Sequence, residues 1–91
     1  MRKNIRKVID AFLSGKSISG DSCRTDGEYI YSYSMVIACR TVHGKVLVPD
    51  REAAPSATTR SQIDACHFAI PNVNKIEASR WLEKYSTNYG G

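Results

Sequence analysis

The sequence predicts an α+β domain: an N-terminal helix, a three-stranded antiparallel sheet and two C-terminal helices, in the order α-β-β-β-α-α. Three observations carry that expectation. Apolar residues recur at helical spacing over residues 2–14. Between residues 29 and 48, aromatic and β-branched residues alternate and are punctuated by short turn signals, as in strands and hairpins. Beyond residue 59 the helical period returns twice, with a proline between the two stretches. A short antiparallel sheet with helices on one face is the economical way to bury such elements, leaving the opposite face open or used for binding.

The first helix is expected over residues 2–14. Ile5, Val8, Ile9, Phe12 and Leu13 form one apolar stripe, and Gly15 is the expected stop. Arg2, Lys3, Arg6 and Lys7 lie off that stripe. They sit at the positive end of the helix dipole, where anions are favoured, so local stability does not explain them. Either they form a solvated face or they seek a charged partner.

Residues 15–28, GKSISGDSCRTDGE, have loop chemistry, and Asp26-Gly27 signals a turn before a strand. Tyr29, Tyr31 and Tyr33 alternate with Ile30, Ser32 and Ser34, which is strand period. On periodicity the tyrosine face is the expected core face. The alternatives are a base-stacking platform or a set of protein-interface anchors. Met35–Thr41 forms a second run, with Ser32-Tyr33-Ser34 as a turn or a bend between the two. His43-Gly44 is expected as a two-residue turn into a third strand over Lys45–Val48, ended by Pro49.

Residues 49–58 read as a second loop. Thr59 is the expected N-cap of the next helix, with Gln62 closing a capping box and Pro71 ending the helix by residue 69 or 70. Asn74 is the expected cap of the last helix, over residues 74–87, with Ala78, Trp81, Leu82 and Tyr85 at helical spacing. Trp81 is expected in the core. The last residues, STNYGG, read as a frayed tail.

A chain of 91 residues suffices for one domain, residues 1–91, with a thin core. Its hydrophobic content of 42% and charged content of 24% are ordinary globular values. The net charge of +4 suits nucleic acid or an acidic protein surface, and suits plain solubility equally well. Three cysteines without a C-x-x-C pair read as reduced thiols, hence a cytoplasmic protein. The start lacks the apolar core of a secretory signal, and no run approaches membrane-spanning length. No membrane partner is expected.

The search for chemistry returns little. Gly15-Lys16-Ser17 resembles the end of a phosphate-binding loop, but Asp10 stands where that motif needs glycine, and a helix precedes where a strand is required. Cys23, Cys39, Cys66, His43 and His67 lack the paired spacing of a zinc site. Cys39 and Cys66 read as small buried hydrophobes, whereas Cys23 lies in the polar loop and is the candidate reactive thiol. No nucleophile, base and orienting group come together, so no catalytic residue, metal or cofactor is assigned.

Residues 12–60 carry, in order, F-x-x-G-K-S, T-D-G before an aromatic strand, an I-A-x-R strand, a one-glycine turn and a T-T helix start. This order resembles a group of small uncharacterised proteins encoded by phages and other mobile elements. The group ends in a strand bearing aromatic residues, whereas residues 74–87 here read as a helix. The group has no settled activity and lends no functional residues; its likeness, together with the absence of a catalytic constellation, points to a non-enzymatic small viral or mobile-element protein. It would bind and block a host protein or protein–nucleic acid complex, as anti-CRISPR-like inhibitors of host defence do. The candidate contacts are Arg2, Lys3, Arg6, Lys7, Lys16, Arg24 and Tyr31. Two other readings stay open: a small basic nucleic-acid-binding protein, and a small metal-binding or thiol-dependent module. The chain is expected as a monomer, or as a homodimer paired through an open sheet edge.

Overall fold

The computed structural model describes residues 3–85. Helix α1 (Lys3–Leu13) is followed by β1 (Ile18–Ser19), β2 (Cys23–Thr25), β3 (Tyr29–Ser32), β4 (Met35–Arg40) and β5 (Val46–Pro49). A 3₁₀ turn (Arg51–Ala53) leads to α2 (Ala57–Ala69), then β6 (Asn74–Ile76) and α3 (Ala78–Tyr85). The α+β class holds. The expected three-stranded sheet is instead six-stranded and mixed, in the order β1-β2-β3-β4-β5-β6. The first five strands form an antiparallel meander, and β6 joins β5 in parallel. A parallel neighbour needs a crossover, and α2 supplies it.

Two strands lie inside the segment expected as a loop. Gly20 N donates to Cys23 O at 2.8 Å and turns β1 back onto β2. Both strands are too short to show a period, so composition alone suggested loop. The Asp26-Gly27 turn is present, with Gly27 at φ +95°. Ser32–Met35 closes as a tight turn with Tyr33 at φ +55°, so Tyr33 does not continue the strand. The next hairpin has three loop residues, Val42–Gly44, rather than two: Thr41 N donates to Lys45 O at 2.8 Å, and Gly44 takes φ +81°.

Two caps move. Ser56, not Thr59, is the N-cap of α2, accepting from Thr59 N at 3.3 Å. Thr59 is buried inside the first turn, its hydroxyl 2.8 Å from that of Ser32. The helix ends at Ala69 with Ile70 extended before Pro71, as the proline requires. Residues 74–76 are strand, not helix, because the open edge of β5 offers Leu47, Val48 and Pro49 as ladder partners to Asn74, Lys75 and Ile76. The last helix starts at Ala78, with Trp81 N bonded to Glu77 O at 3.0 Å.

Alternation along the strands separates two sheet faces. Cys23, Thr25, Ile30, Ser32 and Ala38 are buried on one. There Ile5, Val8, Ile9 and Phe12 of α1 and Ile63 and Cys66 of α2 complete the core. Leu13 does not join them and is 42% exposed. Arg24, Tyr31, Tyr29, Val36, Cys39 and Leu47 share the other face by register. Helix α3 covers only the part of that face over β4 and β5. Its Trp81 is buried and donates from Nε1 to Val36 O at 2.9 Å, and Tyr85 Oη donates to Cys39 Sγ at 3.3 Å. The expectation of helices on one face is therefore corrected to helices on both, with β2 and β3 not covered by a helix on the α3 side among the described residues.

Candidate functional site

The open strip is built from β2, β3 and the turn between them. The register sets Arg24 opposite Tyr31. The Arg24 guanidinium lies 4.1 Å from the Tyr31 ring centroid, and the Tyr29 ring is 6.0 Å from that of Tyr31. Such stacking holds a long cation in one place while leaving its N–H groups free to bond. Tyr29 and Tyr31 are half-buried and Arg24 is exposed. The expected assignment of the tyrosine face to the core holds only in part: Tyr29 and Tyr31 pack against the core but stay half-buried, and Tyr33 is exposed in the turn. Ile30 and Ser32 point inward, and the buried Ser32 hydroxyl is satisfied by Thr59.

Asp26 anchors the strip. Its Oδ1 accepts from the backbone N–H groups of Glu28 and Tyr29, both at 2.9 Å, and Tyr31 Oη lies 3.5 Å from Oδ2. Burial pushes this carboxyl up, but those donors outweigh it and hold the group below its ordinary 3.8. Burial, with the Asp26 charge behind it, raises the Tyr31 phenol, which stays a neutral donor.

The other candidates lie elsewhere. Lys3, Arg6 and Lys7 are exposed on α1, packed against the opposite sheet face, and Lys16 is exposed past the far end of that helix. Arg6 is 3.4 Å from Asp10, an exposed pair one turn apart. Arg2 and the STNYGG segment lie outside the described residues. The structure thus joins Arg24 to Tyr31 but does not join that pair to the basic helix. Tyr29 and Asp26 complete the strip; the sequence placed Tyr29 in the tyrosine row and Asp26 in a turn but neither among the candidate contacts, because the tyrosines alternate in strand period whichever face they take.

The thiols are placed against chemistry. Cys23, expected in a loop, is buried in β2 beneath α1, and all three cysteines are free and buried. Burial first and the Asp21 charge second raise the Cys23 thiol. Burial, with Cys23 nearby, pushes Cys66 up to about 12. Neither is a thiolate at neutral pH, so neither is a ready nucleophile or metal ligand. Among the described residues no three His, Cys, Asp or Glu side chains converge as a metal site. His43 is exposed in its hairpin, and His67 Nε2 is 2.8 Å from Pro49 O.

A second concave feature runs along the outside of α2. A cleft of about 580 Å³ is lined by Asn4 and Ile5 of α1, by Asp21, Ser22 and Cys23, and by Ala57, Thr58, Ser61, Gln62, Asp64, Ala65 and Phe68 of α2. Gln62 is 7% exposed and donates from Nε2 to Ser22 Oγ at 2.7 Å. Its Oε1 is buried without a hydrogen-bond partner among the described residues. A buried acceptor left unmet costs about 1–3 kcal/mol. Phe68, 83% exposed, is one of the lining residues. A large aromatic off the apolar stripe of its helix was the available sequence signal for this feature.

No family model, curated protein or solved structure matches the chain. No helix among the described residues is long and apolar enough to cross a membrane.

Proposed function

We propose that the chain is a small non-enzymatic binding protein, of viral or mobile-element type, that docks on a host protein or protein–nucleic acid complex and blocks it, as inhibitors of host defence systems do. The observation that carries this is the Arg24–Tyr31 stack beside Tyr29, on a part of the sheet that no described helix covers on that side. Arginine and tyrosine dominate the energetics of protein interfaces, most of all when their geometry is set beforehand. The buried, protonated thiols favour binding over covalent chemistry, and give no support to a thiol-dependent module. The test is affinity capture from host lysate with the native chain and with an Arg24→Glu, Tyr31→Ala variant in parallel. A stoichiometric partner held by the native chain and lost from the variant supports the proposal. Identical captures from both overturn it.

A nucleic-acid partner is favoured by a different observation, the exposed Lys3, Arg6 and Lys7 on α1. Such binding must weaken steeply with salt. A gel-shift series at two salt concentrations decides, and absence of a shift at low salt removes this second reading.

A further inference from the structure

We propose that Tyr33, at the tip of the β3–β4 turn, is an anchor of the docking surface and enters an apolar pocket on a partner protein whose rim carries carboxylates. The inference rests on the reading of the Arg24–Tyr31 strip as that surface. It adds a further aromatic contact and the chemistry of the partner.

The backbone at Tyr33 is out of keeping with its side chain. Ser32 and Met35 are the last paired residues of β3 and β4, so Tyr33 and Ser34 form the turn. Tyr33 has φ +55°, and Ser34 is not at positive φ. A two-residue hairpin turn with positive φ at its first place only favours glycine there, because a Cβ in that region crowds its own backbone. A bulky residue at such a φ is an outlier. The other non-glycine residue at positive φ among the described residues is Asn72, a type that tolerates it.

The ring does nothing for the fold. Tyr33 is 61% exposed, whereas Tyr29 and Tyr31 pack against the core. Its side chain makes no hydrogen bond, ring stack or cation contact among the described residues. Stability therefore explains neither the residue nor its conformation, and outliers of this kind collect where a surface is used.

The turn is also fixed in place beside the strip. Tyr33 N donates to Ser22 O at 2.8 Å, which holds the tip against the chain just before β2. Arg24 lies opposite Tyr31, two residues from Ser22 and Tyr33 respectively, so the tip is about 7 Å along the strands from the stacked pair. A ring presented on a fixed turn loses little freedom on binding, as an interface anchor requires.

The partner's chemistry follows from the two contacts. A phenol joins an apolar body to one hydroxyl, so it suits an apolar pocket with an acceptor inside. Arg24 is held over Tyr31 and forms no ion pair among the described residues, so its fork is open to a carboxylate at the pocket's rim.

The experiment compares the native full chain with Tyr33→Gly and Tyr33→Phe in two readouts. In urea denaturation, Tyr33→Gly should have a midpoint no lower than that of the native chain. The second readout is affinity for the protein that the native chain retains from nuclease-treated host lysate, identified by mass spectrometry, purified and titrated by calorimetry. Tyr33→Gly should bind about thirtyfold more weakly, the size of a hot-spot loss, and Tyr33→Phe should stay within about tenfold of the native chain. Stability kept together with affinity lost supports the proposal. A lowered urea midpoint in Tyr33→Gly overturns it, because the ring is then structural. Unchanged affinity in Tyr33→Gly overturns it and leaves docking through Arg24 and Tyr31 standing. A native affinity indifferent to salt overturns the acidic rim. Capture that is present in untreated lysate and abolished by nuclease overturns the proposal in favour of a nucleic-acid partner. Absence of any stoichiometric partner of the native chain overturns both this proposal and the docking reading on which it rests.

Discussion

Arg40 of β4 caps the end of α1 by donating to the backbone carbonyl of Phe12, with its guanidinium 4.3 Å from the Phe12 ring centroid. The same guanidinium donates to Gly27 O. The last turn of α1 holds no basic residue of its own, so the cation that answers its dipole comes from the sheet. Replacing Arg40 with alanine removes two charge-assisted bonds at a half-buried site and should cost about 2 kcal/mol. Arg40→Lys keeps the charge but not the fork, and should recover roughly half of that. Urea denaturation of the three chains measures the difference. A loss no larger than that of an ordinary surface substitution would show that the clamp is not formed in solution.

The same corner makes a prediction about glycine. A Cβ on Gly27 would lie 2.7 Å from Gly15 O, and the backbone there has φ +95°. Gly44 has φ +81°, but a Cβ there meets nothing within 4 Å. Gly44→Ala should therefore cost about 1 kcal/mol, the left-handed penalty alone. Gly27→Ala adds a clash with backbone that cannot rotate away, and should cost at least about twice as much. Thermal melts of the two variants give the order directly, and equal losses would contradict the close approach of the two loops.

These corners explain how much of the fold the sequence made legible. The apolar stripe of α1, the three central strands and the proline stop of α2 were readable because each is long enough to show its period or carries a strong local signal. Elements of two or three residues carry no period, and β1, β2 and β6 exist because a neighbouring strand offers a ladder. Thr59 and Asn74 look like caps locally, yet tertiary demands place one in a buried hydroxyl pair and the other in a strand. Of the candidate contacts, Arg24 and Tyr31 were named from the sequence, but their stacking depends on a register that composition does not fix. The cleft was legible only in the off-stripe Phe68: Asp21 lies in a segment distant from the α2 residues Gln62 and Phe68, and the three form no motif.

Burial of the thiols sets their reactivity. Cys66, pushed up to about 12, and Cys23, raised by burial and by Asp21, should react with a disulfide reagent at neutral pH only as the structure opens. Labelling of the native chain should be slow and accelerate sharply in denaturant. Rapid native labelling at Cys23, measured by peptide mass spectrometry, would return it to the status of an accessible thiol.

Asp26 gives the acid limb of stability. Its folded-state carboxyl lies below the ordinary 3.8, so the charged form is favoured by folding. That contribution is fully present above 3.8 and is lost as pH falls through the lower folded value. Asp26→Asn should therefore be less stable than the native chain at neutral pH, with the gap narrowing below pH 3.8. Denaturant midpoints across that range test the sign, and a gap that widens on acidification would contradict it.

The two charged surfaces make separable predictions, because Arg24 and Tyr31 lie on one side of the sheet and Lys3, Arg6 and Lys7 on the other. All three lysine and arginine positions on α1 are exposed, so reversing them to glutamate should leave stability nearly unchanged, within about 0.5 kcal/mol per site. Tyr31→Ala removes a half-buried ring stacked on Arg24 and should cost about 1 kcal/mol. Under the protein-docking proposal, Tyr31→Ala with Arg24→Glu abolishes capture and the α1 reversals leave it intact. Under the nucleic-acid reading the pattern inverts: the α1 reversals abolish the low-salt gel shift and flatten its salt dependence. Running both variant sets in both assays separates the two surfaces. Loss of binding in neither set would mean that the partner is held by a surface other than the strip or the basic helix.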